Sequence, residues 1–393
     1  MSTAARKVFL IAGEASGDAL GAALMARLRA LDPGLEFLGI GGPKMEHQGL
    51  QSLFPMQELS VMGLTEVLPR LPALLRRARE TVEAIATLGA SALITIDSPD
   101  FCLHVAKRAK AANPELKTIH YVAPTIWAWR PGRATKMAGF IDHVLALYPF
   151  EPPLMHDAGM GCDFVGHPVV AEPTASAEDI AAFRDVYGLD DAPILLVLPG
   201  SRASEVKRLS PIFGAAVAKV LAKAPGARVV VPAAPDVAGE VSALLAGWVG
   251  APVILDPREM SAAAFAREKR AAFAASEVAL AASGTVSLEL AAVDTPMVIA
   301  YDMAPISRML IGAMLKVDTV TLVNLVSETR SVPEFLGRKC QPEPIAEALL
   351  TLLREPALRE PQFDAMEETM TRLGRGGEPP GLRAARAVLQ VLG

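Results

Sequence analysis

Short, nearly continuous runs of Val, Ile and Leu alternate with longer amphipathic stretches along the whole chain. The runs predict strands at Val8–Ala12, Glu36–Ile40, Ala92–Ile96, Thr118–Val122, His143–Leu147 and Asp163–Val165. A second series follows at Ile194–Leu198, Arg228–Val231, Val253–Leu255, Val278–Ala281 and Met297–Ala300. Unbroken apolar character, rather than alternation, is what parallel strands covered on both faces require. Between them, segments such as Asp18–Leu31, Glu205–Leu221 and Ser261–Ala275 carry helical spacing. The repetition predicts βαβ units with right-handed crossovers, an α/β fold of two Rossmann-like, doubly wound parallel sheets.

The pattern changes at 167–179, HPVVAEPTASAED, a polar stretch with prolines and small residues. A linker there divides the chain into domains at 1–170 and 171–355, with helices alone over 356–393. Two such halves imply a ligand cleft between them, outside the strand C-termini. Chemistry is therefore expected in loops that follow strands.

Composition narrows the classes. With 51% hydrophobic residues in 393, the chain is neither disordered nor low-complexity. A net charge of −5 gives no global reason to bind nucleic acid. Cys102, Cys162 and Cys340 are too scattered for a disulfide framework or a metal pair, and no metal motif or Walker A pattern is present. No metal or cofactor is expected, and a reducing compartment is. The apolar run after Arg6 and Lys7 spans only Val8–Ala12, too short for a signal peptide, and no window supplies the roughly 20 apolar residues of a spanning helix.

Four post-strand loops carry candidate chemistry. Gly13-Glu14-Ala15-Ser16-Gly17-Asp18 opens a helix, and its glycines and amides suit a ligand or anion, so that Gly13, Glu14, Ser16, Gly17 and Asp18 are expected as an acceptor loop; a tight turn capped by Asp18 fits equally. Asp97, in Ile96-Asp97-Ser98-Pro99-Asp100, leaves a strand end as a fixed, partly desolvated carboxylate suited to general-base work, while both it and Asp100 could cap the next helix. In Leu198-Pro199-Gly200-Ser201-Arg202, turn amides join a guanidinium that fits phosphate oxygens, and Ser201, Arg202 and Glu205 are expected as contacts of a bound nucleotide, unless Arg202 simply pairs with Glu205. In Ser283-Gly284-Thr285, the turn offers amides again, and Glu289 sits one helical turn further on, where it could accept both hydroxyls of a ribose. Two anion loops in one half favour a nucleotide diphosphate. Without a metal motif, charge on a departing diphosphate would fall to Arg202 and helix N-termini.

One further stretch matters. Val67, Leu68, Leu71, Leu74 and Leu75 share helical spacing, flanked by Arg70, Arg76, Arg77 and Arg79. An interfacial helix on anionic lipid and an ordinary sheet-covering helix both fit.

Taken together, AGEASGD (12–18), GIGGPKM (39–45), VMGLTEVLPRLP (61–72), IDSPDF (96–101), IHYVAPTIWAWRPGR (119–133), YPFE (148–151), FVGHP (164–168), LPGSRASEVKRL (198–209), ASGTVSLE (282–289) and LVNLV (322–326) resemble the lipid-A-disaccharide synthase family, bacterial glycosyltransferases of the GT-B fold. Ala123, Ala203 and Ser287 depart from the family's usual residues, and none alters a charged group. The resemblance implies C-terminal helices returning to the N-terminal domain. It also implies inverting transfer of 2,3-diacylglucosamine from UDP to 2,3-diacylglucosamine 1-phosphate, giving a β(1→6) disaccharide 1-phosphate and UDP. It carries over Asp97 as base, Arg202 as diphosphate contact and Asn324 as a further site residue. The implied setting is the cytoplasmic face of the bacterial inner membrane, held peripherally to an anionic surface; a homodimer is left open. Should Asp97 not be the base, Glu14, Asp100 or His120 is next. Two rivals from other classes are a UDP-sugar epimerase and a non-catalytic nucleotide-sugar sensor.

Overall fold

The computed structural model describes residues 6–59, 64–126, 132–303 and 317–393, with the side chains of 64–69 left aside. Two compact units emerge, one made of residues 1–168 with 376–393 and the other of 169–375.

In the first unit, β1 (Arg6–Ala12), β2 (Leu35–Ile40), β3 (Ala92–Ile96), β4 (Lys117–Tyr121), β5 (His143–Ala146) and β6 (Gly161–Phe164) form one sheet in the order β2-β1-β3-β4-β5-β6. Every pairing is parallel. The second unit holds β7 (Ile194–Leu198), β8 (Arg228–Pro232), β9 (Val253–Leu255), β10 (Val278–Ala281), β11 (Met297–Tyr301) and β12 (Glu334–Leu336), again parallel, in the order β12-β11-β10-β7-β8-β9. β3, β7 and β10 are buried at every position, which is why their sequences are apolar throughout.

The expected strands are all present. β12 is an addition, a three-residue edge strand beside β11. Its Glu334 accepts the amides of Val320 (3.0 Å) and Thr321 (2.6 Å). The return to the first unit, expected from residue 356, begins at Gly376. Helix Glu360–Arg372 stays with the second unit, where buried Gln362 accepts the Met297 amide (2.8 Å) and donates to its carbonyl (3.1 Å). Helix Pro380–Leu392 packs on helix Ala15–Leu31, and Arg383 donates to the Phe164 carbonyl at 2.6 Å.

Candidate active site

Each sheet has one place where the strand order turns back. In the first it lies between β1 and β3, in the second between β7 and β10. Loops leaving adjacent strands there diverge, and the strand C-termini offer a crevice. Register brings the loop starts together, with Ala12 beside Ile96 and Leu198 beside Ala281.

In the second unit these loops enclose a cavity of about 440 Å³. Gly200, Ser201, Arg202 and Glu205 line one side, and Ser283, Gly284, Thr285 and Glu289 another. Gly200 has φ +116°, and a Cβ there would stand 2.7 Å from Glu205 Oε2. Only glycine fits such a position. Glu205 folds back on the loop: its carboxylate accepts from the Ser201 amide (3.3 Å), Arg202 Nη1 (3.0 Å) and the Tyr301 hydroxyl (3.2 Å). Expected as a ligand contact, Glu205 instead braces the loop. One of Arg202's five donors goes to Glu205, and the side chain stays 56% exposed. Arg202 also stands at the N-terminus of the 21-residue helix Ala203–Lys223, where unpaired amides favour an anion.

Across the cavity, Ser287 Oγ donates to the Gly284 carbonyl at 2.9 Å, and no atom lies within 4 Å of where a Gly284 Cβ would point. Glu289 is paired with Lys269, whose ammonium also lies 5.0 Å from the Phe273 ring centroid. Lys269, Phe265 and the Pro232–Pro235 turn after β8 complete the lining. Sequence reasoning missed them. The turn follows a strand that neighbours β7, a signal that could have found it.

Asn324, carried over from the resemblance, is not part of that lining. It is buried, with Nδ2 donating to the Val332 carbonyl (2.9 Å) and Oδ1 accepting its amide (3.0 Å). Its amide group is spent on holding the chain ahead of β12.

In the first unit, Asp97 and Ser98 are both left-handed, with φ +50° and +42°. Asp97 donates its amide to the Tyr121 carbonyl at 2.9 Å, one step past the β3–β4 ladder. Its carboxyl is half-buried; burial pushes its pKa above the ordinary value, opposed by the Ser98 amide. A carboxylate poised this way is a competent base. Two of the alternatives are occupied otherwise. Asp100 is exposed and paired with Arg133 at 2.8 Å. His120 is buried, its Nδ1 2.8 Å from Thr95 Oγ1, and burial with nearby Arg133 holds its pKa down at about 3.

The glycine loop divides between roles. Ser16 is exposed, Glu14 half-buried and Gly17 buried. Asp18, grouped with an acceptor loop or a cap of its own helix, is buried and caps a different segment. It accepts the amides of Gly42 (2.9 Å), Lys44 (3.0 Å) and Met45 (3.0 Å) at the start of helix Pro43–His47.

Helix Leu64–Thr87 carries the expected lipid-facing residues, of which the Val67 and Leu68 side chains lie outside the described residues. Leu71 is 41% exposed and Arg76 is exposed, while Leu74 packs against the first unit's core and Leu75 is half-buried. Arg77 faces inward. It meets Glu58 through two 2.7 Å bonds, Glu80 at 2.7 Å and the Phe54 ring at 4.5 Å.

A family model described as Lipid-A-disaccharide synthetase matches residues 8–378. A lipid-A-disaccharide synthase of Ruegeria pomeroyi is 59% identical over 98% of this chain and 95% of its own length. The chain belongs to the lipid-A-disaccharide synthase family. Another lipid-A-disaccharide synthase, from Rhodospirillum centenum, is 49% identical over 98% of this chain and 94% of its own. Membership makes the chain a glycosyltransferase.

Among solved structures, a UDP-GlcNAc 2-epimerase of Neisseria meningitidis bound to UDP-GlcNAc has a TM-score of 0.63 at 12% identity, covering 98% of this chain and 99% of that one. Such a likeness shows the fold, which is of the GT-B type, and leaves chemistry to the site. The family's 61–63 and 127–131 stretches, Trp127 and Trp129 included, lie outside the described residues. Among the described residues no group of three or more His, Cys, Asp or Glu could hold a metal ion, and no helix is long and apolar enough to cross a membrane.

Proposed function

We propose that this member of the lipid-A-disaccharide synthase family transfers 2,3-diacylglucosamine from UDP to 2,3-diacylglucosamine 1-phosphate with inversion, and that Asp97 is the base. The acceptor 6-hydroxyl gives its proton to Asp97 as its oxygen attacks the anomeric carbon. The bond from that carbon to the diphosphate oxygen breaks, its electron pair leaving with UDP. Asp97 is fixed at a strand end and half-buried, with a raised proton affinity, as general-base catalysis requires.

UDP is assigned to the second unit's cavity. The Gly200–Ser201 turn and Arg202 meet the diphosphate, the Ser283–Thr285 turn lies opposite, and Glu289, oriented by Lys269, receives the ribose hydroxyls. The observation that carries this reading is the convergence of both post-strand loops on one cavity beside an exposed guanidinium. A UDP-sugar bound by a protein of the same fold supports it. Arg202 would stabilise charge that grows only as the leaving group departs.

Residues 1–168 with 376–393 serve as the acceptor-side domain and 169–375 as the donor-side domain. Peripheral attachment to an anionic inner-membrane face rests on Leu71 with the exposed Arg70, Arg76 and Arg79, with Arg77 reassigned to packing. Radiolabelled transfer between the two diacylglucosamine substrates tests the whole reading. Disaccharide 1-phosphate and free UDP are expected; a labelled sugar that stays on UDP would return the chain to the epimerase or sensor class.

A further inference from the structure

We infer that Gly13 is a positioning residue for Asp97, acting through Ser98. β1 and β3 are neighbours, and Gly13, the first residue after β1, meets the loop that follows β3. An added Cβ at Gly13 would stand 2.5 Å from Ser98 Oγ and 2.9 Å from Ser98 Cβ. The hydroxyl could rotate away, but the Cβ moves only with the backbone. Ser98 cannot move alone. It holds φ +42° directly after Asp97 at φ +50°, a pair of left-handed, non-glycine residues that persists only where its surroundings fix it. On one side Asp97 donates to the Tyr121 carbonyl; on the other the Ser98 carbonyl accepts the Cys102 amide at 3.0 Å, starting helix Pro99–Ala112. The Ser98 amide also lies near enough to the Asp97 carboxylate to oppose the effect of burial on its proton affinity. Room at residue 13 thus sets both where this carboxylate points and how readily it takes a proton.

The inference rests on the reading of Asp97 as base, and its test separates the two. Gly13→Ala, Ser98→Gly, the double variant and Asp97→Asn are prepared in the full chain. Turnover is followed across pH with labelled donor and acceptor, and UDP binding by calorimetry. A reacting group displaced by about 1 Å loses on the order of 100-fold in rate, so Gly13→Ala should lower kcat about 10- to 100-fold. It should also move the acid limb of the pH profile and leave UDP affinity unchanged. The double variant should recover most of the loss, because Ser98→Gly removes both crowding atoms and suits a left-handed backbone. Wild-type kcat and pH profile in Gly13→Ala, or no recovery in the double variant, overturns the inference while loss of activity in Asp97→Asn preserves the base. Normal turnover in Asp97→Asn overturns both. If Gly13→Ala fails to fold, the double variant decides: folded and active supports the inference, unfolded overturns it.

Discussion

In the second unit the loops after β7 and β10 stand apart around a cavity. In the first, the loops after β1 and β3 come together with Gly13 against Ser98. Both sites sit where a parallel sheet reverses its strand order, and both use a glycine that a neighbouring side chain crowds. Gly200 makes way for Glu205, which braces an exposed cation; Gly13 makes way for Ser98, which holds a half-buried carboxylate. One topology thus supplies opposite electrostatics. Openness leaves most of a guanidinium's donors to meet an anion, and burial raises the proton affinity of an acid. Their separability can be tested.

The largest effect is expected from Asp97→Asn, which should lower kcat by about 10²–10⁴ with UDP affinity unchanged by calorimetry. In the wild type, kcat/KM should fall as pH drops through the raised Asp97 pKa, because the basic form is the ionised one. A parallel loss of UDP affinity would break the division between units. Next is Arg202→Ala, for which losing charged hydrogen bonds worth about 1.5–3 kcal/mol predicts a Kd for UDP weakened by roughly 10- to 100-fold. Undiminished UDP binding would remove Arg202 from the donor site.

Smaller is Asn324→Ala. It strips the partners from the Val332 amide and carbonyl and should cost about 1–3 kcal/mol in denaturant unfolding, with the UDP affinity of the folded fraction intact. A specific loss of UDP binding without loss of stability would restore Asn324 to the site. The smallest effect is thermal. A carboxyl whose folded pKa is raised contributes stability that is complete below its unfolded pKa and lost as pH rises through the folded one. Asp97→Asn should therefore melt higher than wild type at pH 7, with the gap closing below the ordinary carboxylate range. An equal gap at both pH values would separate the raised pKa from stability.

The strand ends were legible because burial on two faces leaves its mark on every residue of β3, β7 and β10. Loops at those ends followed from chain order alone, and Ser201, Arg202, Ser283, Thr285 and Glu289 line one cavity. What escaped was the identity of distant partners. Asp18 reads as a cap of the helix it begins, yet its amides come from Gly42, Lys44 and Met45. Arg77 shares a stripe with lipid-facing candidates, yet Glu58 and Phe54 claim it. Asn324 looks available to a ligand until Val332 takes both ends of its amide. β12 carries a glutamate in only three residues, too few for an apolar run to register.

Helix Pro380–Leu392 belongs with residues 1–168, so the second unit is an insertion in the first as the chain is read. During synthesis, helix Ala15–Leu31 must wait for its covering partner until residues 169–375 have been made. At about 5–20 residues per second that is a delay on the order of 10–40 s. The nascent first unit spends that interval on the ribosome with an uncovered helix face.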